Sequence, residues 1–174
     1  MRPGDVALFR PHNALGRAVS VFDRSRYCHV RLIVAEDGTT VEADLKGAIR
    51  GHVRCGDVIV TAPLTVAQRA LIRAHAEALL GTPYGFADIG ALALAQFGIR
   101  LPSLSRRLDR YDRLFCSQLV DVVWQSVEFK AFTKDTDPEY QRTGIERLPQ
   151  DVTPGDIADL AFTNDWPTTT YRSN

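Results

Sequence analysis

Short apolar runs that begin after a turn recur along the chain and give the first structural signal. Three of them contain or follow a Gly-Asp pair, at Asp5–Phe9, Gly56–Val60 and Gly155–Ala158. Apolar runs of this length after glycine-containing turns are typical of β-strands. Their unequal spacing indicates one kind of turn used repeatedly in a sheet rather than a repeat array. We therefore predict a strand at each of these positions.

A β-hairpin is predicted between the first two of these strands. His29–Val34 and Thr40–Ala43 are rich in β-branched and apolar residues, and Asp37-Gly38 between them favours a two-residue type I′ turn. Such a turn pairs Glu36 with Thr39. The side chains that then share one face are those of His29, Arg31, Ile33, Glu42, Asp44 and Lys46. The pattern therefore predicts a histidine and two carboxylates on one face of the hairpin.

The hydrophobic period changes after this region and predicts a helix. Thr65 and Gln68 have the spacing of a capping box, an apolar stripe follows at helical intervals, and Gly81 ends the pattern. The next apolar segment, Phe86–Phe97, is too short to span a bilayer. It is typical of a buried helix, and a helix on a lipid or partner surface is the alternative.

A further helix is predicted from Cys116, where Leu119, Val120, Val122 and Val123 begin an apolar helical pattern. A cysteine at a helix N-terminus meets free backbone N–H groups and the positive end of the helix dipole, and both favour a thiolate. Cys116 is therefore a candidate nucleophile. A small buried core residue is the commoner role of an unpaired cysteine, and this window alone leaves that alternative open.

The remaining segments carry weaker patterns. Arg100–Arg113 holds five arginines and fits a solvated connection as well as an anion site, so we assign it to the surface. Glu128–Asp151 is polar with scattered aromatics, which predicts a loop with short helical pieces. We expect residues 1–162 to form a single domain and residues 163–174 to form a flexible tail.

Composition and charge narrow the class of protein. The 174 residues include 21 basic and 21 acidic side chains, so no global field favours nucleic acid or an anionic membrane. Because the sequence has neither an apolar secretion signal nor a membrane-spanning run, we expect a cytoplasmic protein without stable membrane insertion. Delivery in a phage particle or by a secretion machine is the alternative. The oligomeric state stays open.

The cysteines indicate reduced thiols. Cys28, Cys55 and Cys116 lack both the spacing of a metal site and the density of a disulfide framework. Cys28 should point to the opposite sheet face from His29 by strand alternation, so we assign it to packing. A zinc site from Cys28, His29 and Cys55 has no fourth ligand at known spacing, and we predict no metal.

Cysteine catalysis needs an imidazole that activates the thiol and a third polar group that fixes the imidazole tautomer. His29 and a hairpin carboxylate suit these roles better than the other histidines do. His12 lies in a turn-rich loop, His75 lies within the capped helix, and His52 has no acidic pattern nearby. A structural role is the alternative for His29.

Five short motifs along the chain carry a family resemblance. They are Gly4–Phe9, His29-Val30, Val41-Glu-Ala43, Gly81-Thr-Pro-Tyr84 and Phe115–Val120. Together they resemble the NlpC-type papain-like cysteine peptidases and amidases, over Gly4 to about Leu160. The histidine strand precedes the cysteine helix, which is the order of the circularly permuted branch, with relatives similar to lecithin retinol acyltransferase.

The resemblance implies a fold and a set of site residues. The fold is α+β and permuted papain-like, with an antiparallel sheet or small barrel packed against a helical layer that carries the nucleophilic cysteine at a helix N-terminus. Cys116 is the implied nucleophile, His29 the general base and then acid, and Glu42 the group that orients the imidazole. Tyr84 matches the motif tyrosine, whose hydroxyl would join the Cys116 backbone N–H in stabilising an oxyanion. A turn aromatic that caps the core is the alternative for Tyr84.

The hairpin register and the resemblance disagree about the third residue. In the two-residue-turn register, Asp44 faces Arg31 beside His29. Glu42 faces Ile33 instead, about 13 Å from His29 at roughly 3.3 Å per residue. A bulge or strong twist would be needed to bring Glu42 within reach. We predict Glu42 and keep Asp44, paired with Arg31, as the alternative.

The expected function is a cysteine hydrolase that cleaves an amide bond through a thioacyl-enzyme intermediate and needs no cofactor. The resemblance implies peptidoglycan stem peptides or another small peptide-like amide as the substrate class. The same residues would serve an acyltransferase or lipid thioesterase, with Phe86–Phe97 as an acyl groove. A catalytically silent binding module is the third hypothesis.

Overall fold

An antiparallel sheet is the largest element of the structure, which is a computed structural model. It describes residues 1–11, 17, 20–21, 24–44, 46–83, 115–143 and 152–173. The strands are β1 (Val6–Phe9), β2 (His29–Ile33), β3 (Thr39–Asp44), β4 (Gly47–His52), β5 (Val58–Val60) and β6 (Thr168–Thr170). The helices are α1 (Val66–Ala78), α2 (Cys116–Ser126), α3 (Pro138–Thr143) and α4 (Pro154–Thr163). In the part of the chain described, the six strands follow the order β4-β3-β2-β1-β5-β6, so the fold is α+β.

Two Gly-Asp turns share one design and precede strands, as predicted. In the first, the Asp5 carboxylate accepts from the backbone N–H of Arg2 at 2.9 Å, just before β1. In the second, the Asp57 carboxylate accepts from the backbone N–H of Arg54 at 2.8 Å, just before β5. The glycine before each aspartate has positive φ, 91° at Gly4 and 93° in the second turn, which a side chain would resist.

The third Gly-Asp pair begins a helix, so the prediction of a strand at Gly155–Ala158 is wrong. Thr153 caps the N-terminus of α4 and forms a capping box with Asp156, and Pro154 occupies the first helical turn. Threonine before proline, with an acidic residue three positions later, favours a helix start over a strand. The Gly-Asp pair alone does not distinguish the two outcomes.

The β2–β3 hairpin has a longer loop than predicted. Val34 N–H donates to the Thr39 carbonyl at 2.9 Å, which closes a four-residue loop over residues 35–38. Gly38 has φ of 90° but Asp37 does not have positive φ, so the type I′ turn, which needs both, does not form. The Asp37 carboxylate accepts from Thr39 N–H instead, at 2.8 Å. This local bond stabilises the alternative turn.

The longer loop moves the strand register by two positions. Leu32 pairs with Val41 and Ile33 with Thr40, and the same register continued along the strands sets Arg31 opposite Glu42. A shift of two residues keeps every side chain on its predicted face, because strand alternation has a period of two. The shared face is therefore retained and only the partners change.

Helices α1 and α2 begin where they were predicted to begin. Thr65 and Gln68 form the capping box of α1, and α2 begins at Cys116. Helix α2 packs against β2 and β3 of the sheet and against α1 and α4. Among the described residues, no helix has the length and apolar character needed to cross a membrane.

The expected flexible tail contributes a strand to the sheet, which corrects the boundary set at residue 162. Thr168–Thr170 form β6 and pair with Val58–Val60 at the sheet edge. All of the β6 side chains are exposed, so the threonine run has no apolar alternation to indicate a strand. Strand β4 was not predicted either, because Gly47–His52 includes two glycines and has no period-two pattern.

The main apolar core lies between one sheet face and the helices. Val30 and Leu32 of β2 belong to one buried cluster with Leu119 and Trp124 of α2. A smaller cluster on the other face includes Ile33. Strand alternation sets Arg31 on this second face, away from the main core.

Candidate active site

Cys116 is the first residue of α2 and is buried, with 6% of its surface exposed. The preceding Phe115 is the N-cap and gives the helix no side-chain cap, so the backbone N–H groups of the first turn stay available to an anion. The hydroxyl of Ser117 donates to the Val152 carbonyl at 2.6 Å. This bond ties the first turn of α2 to the segment before α4.

His29 lies between the thiol and a carboxylate. It is the first residue of β2, paired with Phe9 of β1, and its side chain is 20% exposed. Its Nε2 lies 2.6 Å from Oε2 of Glu42, and its ring lies close enough to the Cys116 side chain for the two groups to shift each other's pKa. Because Nε2 faces the carboxylate, Nδ1 is the ring atom left for the thiol. The structure therefore brings together Cys116, His29 and Glu42, the three residues predicted as catalytic.

The pKa values of the thiol and imidazole shift in opposite directions. Burial alone would raise the pKa of Cys116, but the charge and hydrogen bond of His29, with the backbone N–H groups of Val30 and Ser117, lower it below its usual value. Burial alone would lower the pKa of His29, but the Cys116 thiolate and the Glu42 carboxylate raise it to about 9. These shifts favour a thiolate–imidazolium pair over the neutral pair.

Glu42 is buried in the middle of β3 and its carboxylate has two cationic neighbours. Arg31 Nε donates to Oε2 at 2.9 Å, on the same oxygen that faces His29. Burial alone would raise the pKa of Glu42, but the hydrogen bonds and charges of His29 and Arg31 lower it. The carboxylate is therefore ionised at neutral pH and can orient the imidazole.

The register explains why Glu42 rather than Asp44 lies beside the histidine. The four-residue loop moves Glu42 from Ile33 to Arg31, which is one same-face position from His29. Asp44 lies at the exposed end of β3, paired with Gly47 of β4. The prediction of Glu42 agrees with this geometry without the bulge that the shorter turn required. Arg31, which the alternative paired with Asp44, forms its ion pair with Glu42.

The other cysteines have different surroundings. Cys28 is half-buried, its thiol donates to the Phe9 carbonyl at 3.7 Å, and burial together with the nearby Cys116 charge raises its pKa to about 11. Cys55 is exposed, and hydrogen bonds from Ser173 lower its pKa. Over the described ranges, no group of three or more His, Cys, Asp or Glu side chains is arranged to hold a metal ion.

Three predicted features lie outside the described residues. They are the oxyanion residue Tyr84, the apolar segment Phe86–Phe97 and the arginine-rich segment up to Arg113. The chain does reach Thr82 and Pro83, and the Thr82 carbonyl accepts from Ala48 N–H at 2.8 Å. The residues just before Tyr84 therefore lie at the edge of the sheet, next to β4.

Sequence reasoning missed the supporting role of Arg31, Asp57 and Gly51. Arg31 Nη1 donates to the buried Asp57 carboxylate at 2.7 Å, so Arg31 bridges two acids. Gly51 leaves the space that Oε1 of Glu42 occupies, since a Cβ there would collide with that oxygen. The available signal was Arg31 itself, because a charged residue inside an apolar strand needs buried partners.

Comparisons with known proteins give a structural likeness and no family. No family model and no curated protein matches the chain. The chain is similar to the crystal structure of metalloprotein yiiX from Escherichia coli O157:H7, described as DUF1105, with 17% identity and a TM-score of 0.65. The match covers 99% of this chain and 98% of that chain. A likeness at this level of identity establishes a shared fold and no activity.

We predict that Gly51→Ala impairs the site without changing any of its polar groups. The added methyl would displace Glu42 from His29 and slow the alkylation of Cys116 by iodoacetamide about tenfold at pH 6.5. Peptide mass spectrometry measures the modified fraction of Cys116 against time. Arg50→Ala is the matched control, because Arg50 is exposed on the same strand and forms a surface ion pair with Glu77, away from Glu42. Equal rates in the two variants would contradict the prediction.

Proposed function

We propose that this protein is a cysteine hydrolase that cleaves an amide bond through a thioacyl-enzyme intermediate. The observation that carries the proposal is the arrangement of Cys116, His29 and Glu42: the thiol lies at a helix N-terminus and interacts electrostatically with His29, and His29 Nε2 lies 2.6 Å from the Glu42 carboxylate. Nucleophile, base and orienting group within hydrogen-bond reach of each other are the signature of nucleophilic catalysis. The permuted papain-like fold implied by the sequence motifs has the same order of residues.

The proposed reaction has two stages. The Cys116 thiolate attacks the amide carbonyl carbon, and the oxyanion that forms lies near the backbone N–H groups at the start of α2. His29 donates its proton to the departing amine, and the C–N bond breaks to leave a thioester on Cys116. His29 then takes a proton from water, which attacks the thioester and releases the acid and the thiolate. In this scheme Tyr84 is the second oxyanion donor.

Glu42 serves the reaction by holding the imidazole in one orientation. Its bond to Nε2 keeps Nδ1 directed at the thiol, and its charge stabilises the imidazolium of the resting pair. Glu42 itself transfers no proton. The substrate class that the sequence motifs support is a small peptide-like amide, such as a peptidoglycan stem peptide.

We predict that Cys116 reacts with iodoacetamide well below pH 8. The parent protein for this experiment carries Cys55→Ser, because Cys55 is an exposed thiol with a lowered pKa and would also react. His29→Ala should slow the alkylation of Cys116 on the order of 10- to 100-fold at pH 6.5, since the thiol loses its imidazolium partner. Glu42→Gln should give a smaller loss, and Asp44→Asn should match the parent.

Two outcomes of this experiment would count against the proposal. Equal, slow labelling of Cys116 in the parent and in His29→Ala would remove the enzymatic hypothesis and favour a catalytically silent binding module. A loss in Asp44→Asn with none in Glu42→Gln would make Asp44 the orienting residue. The Cys116→Ser variant sets the background labelling of Cys28, whose raised pKa predicts a low rate near neutral pH.

The chemical products distinguish hydrolysis from acyl transfer. We predict that incubation with a peptidoglycan stem peptide yields a free amine and a free acid, and that intact-mass analysis after rapid acid quenching detects an acyl adduct on Cys116. Cys116→Ser should give neither product. An adduct formed only with a lipid acyl donor, and passed on to an added amine or alcohol, would instead make the protein an acyltransferase.

A further inference from the structure

Arg31 is a fully charged side chain inside the sheet, and it is 2% exposed. Its neighbours along β2, Val30 and Leu32, are both completely buried apolar residues. A buried guanidinium is tolerated only where carboxylates or carbonyls compensate the lost hydration. The contacts of Arg31 therefore indicate why a cation is present at this position.

Arg31 uses separate nitrogens to bind two buried carboxylates. Nε donates to Oε2 of Glu42 at 2.9 Å, and Nη1 donates to Oδ2 of Asp57 at 2.7 Å. The guanidinium carbon also lies 5.0 Å from the centre of the Phe9 ring. Two ion pairs and one cation–π contact fix the side chain from three directions.

Arg31 contacts the same Glu42 oxygen, Oε2, that faces His29 in the proposed catalytic site. Oε2 accepts from Arg31 and also lies 2.6 Å from His29 Nε2, so one oxygen is shared by both cations. A glutamate side chain has three rotatable torsions, and a single partner leaves its carboxylate free to turn. The second donor fixes the direction in which Oε2 faces the imidazole.

Asp57 is held independently of the site. Its carboxylate also accepts from Arg54 N–H at 2.8 Å within the Gly-Asp turn before β5. This turn is a rigid part of the sheet, because Gly56 N–H and Asp57 C=O both bond to Tyr171 next to β6. The turn thus anchors Asp57, and Asp57 anchors Arg31.

We propose that Arg31 is a positioning residue that fixes the Glu42 carboxylate against His29, and that Asp57 of the Gly-Asp turn anchors Arg31 in this role. The inference rests on the proposed function, and it adds Arg31 and Asp57 to the three proposed catalytic residues. The Gly-Asp turn before β5 then has a use beyond starting a strand. Arg31 touches neither the thiol nor a reacting atom and acts through Glu42 alone.

The test is the pH profile of Cys116 alkylation in the Cys55→Ser background. Arg31→Met should slow alkylation about tenfold at pH 6.5 and move the acid limb of the profile up by about one pH unit, because Glu42 loses its fixed orientation and its neighbouring cation. Arg31→Lys should restore part of the rate. A single ammonium keeps the charge but lacks the planar fork that reaches both carboxylates.

A double-mutant cycle separates positioning from general damage to the fold. If Arg31 acts through Glu42, Arg31→Met should cause little further loss in a Glu42→Gln background. Additive losses in the cycle, or an Arg31→Met profile that matches the parent, would overturn the proposal. Should Arg31→Met fail to fold, Asp57→Asn tests the proposal instead, because it keeps the Arg31 guanidinium and nearly the same side-chain shape at position 57. Asp57→Asn should shift the pH profile of alkylation in the same direction as Arg31→Met.

The chain offers a matched control in its other Gly-Asp turn. Asp5 forms an ion pair with the buried Arg69 at 2.8 Å, and its turn has the same design as that of Asp57. Asp5→Asn should lower the melting temperature as Asp57→Asn does but leave the alkylation profile unchanged. A profile shift in both Asp5→Asn and Asp57→Asn would mean that the effect is structural.

The same assay separates failure of the proposed function from failure of the positioning role. If His29→Ala leaves the alkylation rate unchanged, the proposed function fails. If His29→Ala slows alkylation but the Arg31 and Asp57 variants do not, only the positioning role fails.

Discussion

The buried carboxylate of Glu42 is the constraint on which the site depends. An ionised carboxylate loses its hydration inside a protein and is stable there only with charged or hydrogen-bonded partners. Glu42 has His29 on one side and Arg31 on the other, and both approach Oε2. The position of the imidazole, and through it the ionisation of Cys116, follows from how this one charge is compensated.

The packing of α2 on the sheet and the contacts of the two Gly-Asp turns position the other parts of the site. Helix α2 packs on β2 and β3, and this packing brings its N-terminus to the strand end where His29 lies. The Trp124 indole of the same helix donates to the Gly4 carbonyl at 3.1 Å, so α2 is also fixed to the first Gly-Asp turn. The first Gly-Asp turn therefore contacts the last turn of α2, at the opposite end from Cys116, and the second turn holds the Arg31–Asp57 pair behind the carboxylate.

Local sequence signals predicted the elements that carry the proposed chemistry. The start of α2 at Cys116 and the capping box of Thr65 depend on residues within a few positions of each other, and both were correct. The hairpin register was wrong because Asp37 bonds locally to Thr39 and selects a longer loop, which a dipeptide pattern does not reveal. Strand β6 has only exposed threonines and takes its structure from pairing with β5. Arg31 was placed on the correct face, yet its partners depend on that register and on Asp57, which lies far along the chain.

The titration of His29 by NMR tests the central claim most directly. The thiolate–imidazolium pair predicts a His29 pKa well above its usual value, near the value of about 9 that its neighbours favour. Replacing Cys116 by serine removes the thiolate charge and should lower the His29 pKa, with the resonance identified by its loss in His29→Ala. A His29 that titrates in the ordinary histidine range, with the same pKa in the parent and in Cys116→Ser, would contradict the account.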